Sequence, residues 1–289
     1  MGNKGKLRFI RAALLVIVFS CLVGIAREYY LSASHRARQE ELWEKLQTEY
    51  AGTENGENIS YGISIFGQKI ENALSGMYGE ISGSSLVEGG DESETVPVLL
   101  HKYAGLYEEN PDLIGWLSIE GMKINYPVMQ CSDDEYYLHH DFYGNEDKYG
   151  CLYVRERADV NTPGTNFLIY GHNMRDGSMF GDLDFYKEEA FFKEHSMISF
   201  DTLYEERTYE IVAVFLSRVY REDDEVFKYY DFYEAGTPEE FGDFYENIKS
   251  MSLYDTGVTA EYGDTFITLS TCAYHVEDGR LAVVAKRIK

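Results

Sequence analysis

The segment "TFITLSTCAYHVEDGRLAVVAKRI", residues 265–288, decides the fold because it contains two β-branched, apolar runs separated by a short polar stretch. Such runs predict two strands joined by a turn. The first strand ends at Cys272, and Arg280 follows eight residues later, where the second strand begins. A free cysteine is most often a packed core residue. A strand that ends at a thiol can equally present a nucleophile, so the residues alone leave both interpretations of Cys272 open.

Outward from this segment, the chain from about residue 96 predicts many short strands and few helices. Two strands lie in "WLSIEGMKINYPVMQ", residues 116–130, on either side of Glu120 and Gly121. The further candidates are residues 150–154, 166–171, 197–203, 208–219, 264–270 and 280–287. This pattern predicts a mainly β domain, built as a barrel or a sandwich.

One helix is predicted between the two late strands. Thr237 can cap its first turn, Pro238 suits its first position, and Glu240 completes a capping box. Its apolar face consists of Phe241, Phe244, Tyr245 and Ile248. An amphipathic helix of this kind covers a sheet.

The N-terminus predicts a membrane anchor. Residues 12–26, "AALLVIVFSCLVGIA", carry no charge, and counting from Phe9 gives a helix of roughly 27 Å, which just spans a hydrocarbon core. Basic residues precede this run and acids dominate after it, so residues 1–8 are expected in the cytoplasm, residues 9–27 in the membrane, and the rest outside the cell. The small residues that end at Ala26 would also suit a cleavage site, so a cleaved signal peptide remains the alternative to an anchor.

Residues 28–95 predict an extracellular helix and a flexible stalk. The helix is expected in "SHRARQEELWEKLQTEY", residues 34–50, and the following residues 51–95 are rich in Gly, Ser, Asn and Glu. A random coil of that length reaches roughly 35–40 Å. The catalytic domain is therefore expected to comprise residues 96–289.

Charge and cysteine usage limit the partners. The chain of 289 residues has a formal net charge of -24, which makes binding to a nucleic acid improbable. Outside the anchor it has three cysteines, and the sequence does not decide whether Cys131 and Cys151 form a disulfide. The sequence contains no C-x-x-C pair, so we expect neither a metal site nor another cofactor.

Two histidines compete as the partner of Cys272. His275 is close in sequence, but it lies in the polar turn and is expected to face solvent. His172 follows the apolar run in "NFLIYGHN", residues 166–173, so a second strand would place an imidazole at its end. The sequence spacing does not show that His172 and Cys272 meet.

Several motifs in order resemble the sortases, the cysteine transpeptidases that attach proteins to the walls of Gram-positive bacteria. "TLSTC" with the following Arg280, and "NFLIYGHN", carry the resemblance. Five further stretches resemble the class B branch: "NPDLIGWLSI", "INYPVMQ", "YYLHHDF", "MFGDLDFYKEEAFFKEH" and the helix between the late strands. The resemblance covers residues 97–289. It implies an eight-stranded sortase-type β-barrel with an N-terminal helical extension and a helix in the loop between the late strands.

The resemblance also implies the roles of the site residues. Cys272 would be the nucleophile, His172 the acid and base, and Arg280 the contact for the oxyanion. Ser270 and Thr271 would line the substrate groove, although ordinary hydroxyls at a strand end explain them almost as well. The implied partners are surface proteins that carry a sorting signal, and an amine of a peptidoglycan precursor or a pilin.

Three functions follow from these expectations. The first is a membrane-anchored extracellular transpeptidase that forms a thioester with a C-terminal sorting motif. The second is a non-catalytic anchored binding domain with the same fold. The third is a secreted cysteine peptidase, which uses the same residues but releases its product by hydrolysis.

Overall fold

A computed structural model describes residues 3–54 and 98–289, with side chains described for residues 13–49 and 98–289. Most of the predicted stalk, residues 55–95, lies outside the described residues. The described residues include the N-terminal helix and the predicted catalytic domain from residue 98 onward.

Eight strands form a closed barrel in the order β1-β2-β3-β4-β7-β8-β6-β5. Their bounds are Leu113–Ser118 (β1), Asn125–Met129 (β2), Leu152–Tyr153 (β3), Asn166–Tyr170 (β4), Met197–Thr202 (β5), Thr208–Arg218 (β6), Phe266–Cys272 (β7) and Gly279–Arg287 (β8). Most neighbours are antiparallel, but β2 pairs with β3 and β4 pairs with β7 in parallel. The predicted eight-stranded barrel is confirmed.

The helices lie at the N-terminus and between strands. The α-helices are Asn3–Glu54 (α1), Ala104–Glu109 (α2), Tyr136–His139 (α3), Glu189–Glu194 (α4) and Pro238–Met251 (α5). Three 3₁₀ segments add His101–Tyr103, Gly181–Lys187 and Tyr229–Asp231. The predicted N-terminal helical extension and the helix between the late strands are both present.

Strand β7 is buried on both of its faces. All its residues from Phe266 to Thr271 are buried, and only Cys272 at its end is partly exposed. One face contributes Ile267 and Leu269 to the barrel interior, whereas Phe266 packs in an outer cluster with residues of α5. This double burial explains why the strand carries only small hydroxyl side chains, at Thr268, Ser270 and Thr271, among its apolar residues and no charged side chain.

Helix α5 begins at the predicted cap and covers the outer face of the sheet. Thr237 Oγ1 accepts a hydrogen bond from the Glu240 amide at 3.2 Å. Glu240 Oε2 accepts one at 2.6 Å from the amide of Gly236, so the carboxylate reaches one residue beyond the cap itself. Phe244 and Ile248 are buried in the outer cluster with strand residues of β6, β7 and β8.

Helix α1 runs without a break from Asn3 to Glu54. Within the described part of the chain, it is the single helix long and apolar enough to cross a membrane. The side chains of residues 13–30 are exposed. This exposure fits a segment that would meet lipid rather than the barrel.

The C-terminal part of α1 packs on the barrel. Leu42 and Leu46 are 1% and 5% exposed, and they belong to a cluster with Leu106, Trp116 and Tyr137. Trp43 lies 6.1 Å from Trp116 between ring centroids. A helix that sequence analysis assigned to a region outside the catalytic domain is thus packed against that domain.

Candidate active site

Cys272 and Arg280 lie opposite each other on adjacent strands. The antiparallel ladder of β7 and β8 pairs Thr271 with Leu281 and Cys272 with Arg280. Directly opposed residues of an antiparallel pair project to the same face, with their Cβ atoms about 5 Å apart. The backbone register therefore places the side chains of Cys272 and Arg280 on the same face of the sheet.

The turn between these strands is tight. The amide of Ala273 donates to the Gly279 carbonyl at 2.9 Å, and Asp278 has a left-handed φ of 55°. A Cβ on Gly279 would lie 2.1 Å from the Ala273 carbonyl oxygen, so only glycine fits this approach. Arg280 Nη1 donates to the Gly279 carbonyl at 3.0 Å, which orients the guanidinium against the turn.

His172 comes from the strand on the other side of β7. Strand β4 runs parallel to β7 with Tyr170 opposite Ser270, so two residues further His172 reaches the level of Cys272. Two side-chain bonds tie the two strand ends together. Thr271 Oγ1 donates to the Gly171 carbonyl at 2.7 Å, and Asn173 Nδ2 donates to the Cys272 carbonyl at 2.8 Å.

The His172 ring is oriented by a backbone carbonyl. Its Nε2 lies 2.8 Å from the carbonyl oxygen of Leu138, in the segment that contains α3. A carbonyl only accepts hydrogen bonds, so Nε2 carries the proton that it donates. Nδ1 is then the ring nitrogen whose lone pair is free to accept a hydrogen bond.

Gly171 lets the end of β4 approach its neighbours closely. A Cβ at this position would lie 2.5 Å from Leu152 Cδ2 and 2.8 Å from Phe180 Cδ2. Both neighbours are fully buried, so neither can move away at low cost. The glycine before His172 is therefore a packing requirement.

The three predicted catalytic residues line one cleft of about 260 Å³. The other lining residues come from six parts of the chain: Leu138, Tyr153, Arg155, Tyr170, Gly171, Val219, Tyr229, Tyr230, Asp231, Ser270 and Thr271. The cleft thus combines one thiol, one imidazole, two guanidinium groups and one carboxylate with a wall that includes four tyrosines. Such a site suits a peptide that presents a carbonyl to the thiol.

Ser270 and Thr271 also line the cleft, but their hydroxyls are already bonded within the protein. Both residues are 2% exposed. Ser270 Oγ lies 2.7 Å from the hydroxyl of Tyr229, while Thr271 binds the Gly171 carbonyl. Burial raises the pKa of Tyr229 to about 12, and so this phenol is neutral at physiological pH.

Sequence analysis did not identify the aromatic wall or the Leu138 carbonyl. Tyr153 stacks on Tyr170 with ring centroids 5.6 Å apart, and the Arg155 guanidinium lies 5.3 Å from the Tyr170 centroid. Tyr170 directly precedes the Gly-His pair, which was a usable signal. The Leu138 contact uses backbone atoms and has no sequence signature.

The remaining cysteines and the competing histidine lie elsewhere. Cys131 and Cys151 are free thiols, so the disulfide left open between them is not formed in this structure. Cys151 is buried, and Cys131 donates from Sγ to the Asp133 carbonyl at 3.3 Å. His275 is exposed in the turn, as expected.

Comparison with known proteins identifies the barrel. A sequence model of the sortase domain matches residues 117–288, more than half of the chain. Sortase B of Listeria monocytogenes is 34% identical over 189 residues, a match that covers 63% of this chain and 72% of that protein.

Solved structures show the same similarity. Sortase B from Bacillus anthracis in complex with AAEK1 is 34% identical, with a TM-score of 0.59 over 66% of this chain and 86% of that chain. The Staphylococcus aureus sortase B–substrate complex shares the fold, with a TM-score of 0.65 at 22% identity over 89% of this chain and 98% of that chain. The family match over most of the barrel and the identity to these relatives show that the chain belongs to the sortase family, in its class B branch.

Proposed function

We propose that this cysteine transpeptidase cleaves a sorting signal near the C-terminus of a surface protein through a thioester on Cys272. One observation carries the proposal: Cys272 at the end of β7, Arg280 at the start of β8 and His172 just after β4 line one cleft at the same level of three adjacent strands. The residue types match the needs of acyl transfer, which are a nucleophile, a donor for the oxyanion and an acid–base group.

In the first half-reaction, His172 Nδ1 takes the thiol proton and Cys272 Sγ attacks the scissile carbonyl carbon. Arg280 donates hydrogen bonds to the oxygen while it carries negative charge, and its planar fork suits that task. The carbon–nitrogen bond then breaks, and His172 returns its proton to the leaving amine. The products are a thioester and a free amine.

In the second half-reaction, an acceptor amine attacks the thioester carbonyl. His172 takes a proton from that amine, the sulfur–carbon bond breaks, and the proton returns to the Cys272 thiolate. We propose that the acceptor is an amine of a peptidoglycan precursor or a pilin. Water in place of the amine would make the same chemistry a hydrolysis.

We also propose that Ser270 and Thr271 contribute to substrate binding as walls of the cleft. Their hydroxyls bond to Tyr229 and Gly171, which favours a role in shaping the groove over a direct polar contact. Substitution of either residue by Ala should therefore raise KM more than it lowers kcat.

We propose a single-pass anchor in residues 9–27 with the barrel outside the cell. Support comes from the exposed apolar part of α1 and from the basic residues that precede it. Protease added to intact cells should remove the barrel. Full protection of the barrel from protease would contradict this topology.

A peptide library cleaved with and without hydroxylamine tests the proposed chemistry. A transpeptidase should release more product with the amine and form a hydroxamate, whereas Cys272→Ala should form none. Release that does not depend on the amine would favour the peptidase. Binding without cleavage would favour the non-catalytic domain.

A further inference from the structure

Helix α1 contributes a polar cluster to its contact with the barrel. His35 Nδ1 lies 3.2 Å from Asp147 Oδ2, and Arg38 forms an ion pair with the same carboxylate. Arg38 Nε also lies 3.1 Å from Asp141 Oδ2. The His35 ring stacks on Tyr149 at 4.3 Å between centroids, with the planes 15° apart.

Three members of this cluster are withdrawn from water, whereas the side chain of Arg38 is 30% exposed. His35 is 1% exposed, and the side chains of Asp147 and Asp141 are 6% and 3% exposed. Ion pairs that lose water in this way hold their partners in one geometry, and breaking one leaves an uncompensated buried charge. The contact therefore constrains the segment that carries the two carboxylates.

That segment leads directly to the catalytic histidine. The Asp147 amide donates to the His139 carbonyl at 2.8 Å, next to the Leu138 carbonyl that accepts from His172. The Cys151 amide donates to the Tyr137 carbonyl at 2.8 Å on the other side of Leu138. A shift of the loop held by α1 is thus transmitted to the atom that orients the imidazole.

Apolar packing reinforces the same link. Tyr137, the neighbour of Leu138, is 2% exposed and shares a core cluster with Leu42 and Leu46 of α1. The Tyr137 hydroxyl also donates to Asp112 Oδ2 at 2.8 Å, which fixes its ring. Helix α1 therefore contacts both ends of the segment around the carbonyl that binds His172.

We propose that His35 and Arg38 of α1 are positioning residues for His172. They fix the segment of residues 137–147, and its Leu138 carbonyl then holds the imidazole tautomer and orientation that acid–base transfer requires. Helix α1 therefore helps to orient a residue of the active site. The inference rests on the proposed role of His172.

The test uses the full-length chain in detergent and compares Arg38→Ala with Arg36→Ala. Arg36 is exposed on the same helix and has no ion pair among the described residues. Arg36→Ala therefore removes the same charge as Arg38→Ala without breaking an ion pair, and it serves as the matched control. With a fluorogenic peptide from the library and hydroxylamine, Arg38→Ala should lower kcat about tenfold while KM changes less than twofold. Arg38→Lys, which keeps the charge, should recover part of the loss.

A spectroscopic measurement separates positioning from a merely structural role. In ¹⁵N-histidine-labelled protein, the Nε2–H signal of His172, assigned with His172→Gln, should shift in Arg38→Ala and stay in place in Arg36→Ala. An unchanged signal in Arg38→Ala would overturn the inference, even if the Tm falls. If His172→Ala keeps full activity, the proposed catalytic role fails, and the shift of the signal still decides whether α1 orients this ring.

Discussion

The two sides of the catalytic cleft are built by different means. Cys272 and Arg280 are eight residues apart, and one antiparallel ladder sets their relation. His172 is a hundred residues from Cys272, and its ring is held by the Leu138 carbonyl of helix α3. The residues that follow α3 are in turn held by ion pairs to α1.

Because of this difference, the two sides of the cleft should respond differently to substitutions. The register of β7 and β8 involves many backbone hydrogen bonds, so a single side-chain change should alter the chemistry there without moving the backbone. The orientation of the His172 ring depends on a few contacts in series, so substitutions far from the cleft should change that orientation. The following predictions test this contrast.

The largest effect should come from His172. His172→Ala removes the group that we propose to move protons in both half-reactions, so we expect kcat to fall about 10²- to 10⁴-fold. His275→Ala changes an exposed residue of the turn and should leave most activity. Steady-state kinetics of both variants measures the difference, and the reverse order of activities would refute the assignment.

Arg280→Lys should produce the next largest loss. Lysine keeps the positive charge but lacks the planar fork, and loss of one oxyanion donor costs on the order of 10²–10³ in rate. The backbone register should hold, so circular dichroism should be unchanged. Full activity of this variant would remove Arg280 from the oxyanion role.

The two glycines of the cleft offer a matched pair. Gly171→Ala forces a methyl against Leu152 and Phe180, whereas Gly279→Ala forces one against the Ala273 carbonyl. We expect each to lower the free energy of unfolding by about 1–3 kcal/mol. Denaturant titration measures this, and the His172 NMR signal should shift with Gly171→Ala and not with Gly279→Ala.

Acid should weaken the α1 contact only at low pH. Burial raises the pKa of Asp147, but hydrogen bonds from His35, the Tyr149 amide and Arg38 outweigh it and lower the pKa to about 2. A carboxyl with a lowered folded-state pKa stabilises the fold above its unfolded pKa, and this contribution is lost as the pH falls towards 2. It amounts to on the order of 2 kcal/mol.

Unfolding experiments between pH 5 and pH 2 on Asp147→Asn measure that contribution. The variant should be less stable than the native chain at pH 5, and the two should converge as the pH falls. Equal stability at pH 5 would show that the buried pairs do not hold the helix.

The smallest effect concerns thiol reactivity. Burial raises the pKa of the Cys131 thiol, and burial also raises that of Cys151, which is 2% exposed. Cys272 is partly exposed beside a guanidinium, so it should react with iodoacetamide about tenfold faster. Peptide mass spectrometry of a time course gives the order of labelling, and earlier labelling of Cys131 would contradict this expectation.

Much of the barrel was predictable because its strands are short apolar runs bounded by turn residues. The helix cap at Thr237 was predictable for the same local reason. The docking of α1 was not, because residues 34–50 have the charged composition of an exposed helix. Asp141 and Asp147 are of a residue type that seldom lies buried, and only their partners His35 and Arg38 on α1 make that burial tolerable.

The sequence by itself determined the strands, the apolar N-terminal run and the turn that joins Cys272 to Arg280, because these depend on residues near each other in the chain. Only the tertiary structure decided that β4 lies parallel to β7, which brings His172 level with Cys272. It also decided that the Leu138 carbonyl of α3 orients the imidazole and that α1 packs against the neighbouring Tyr137. Contacts of this kind join residues from 34 to 112 positions apart and often use backbone atoms, which are the same in every residue and have no signature in the sequence.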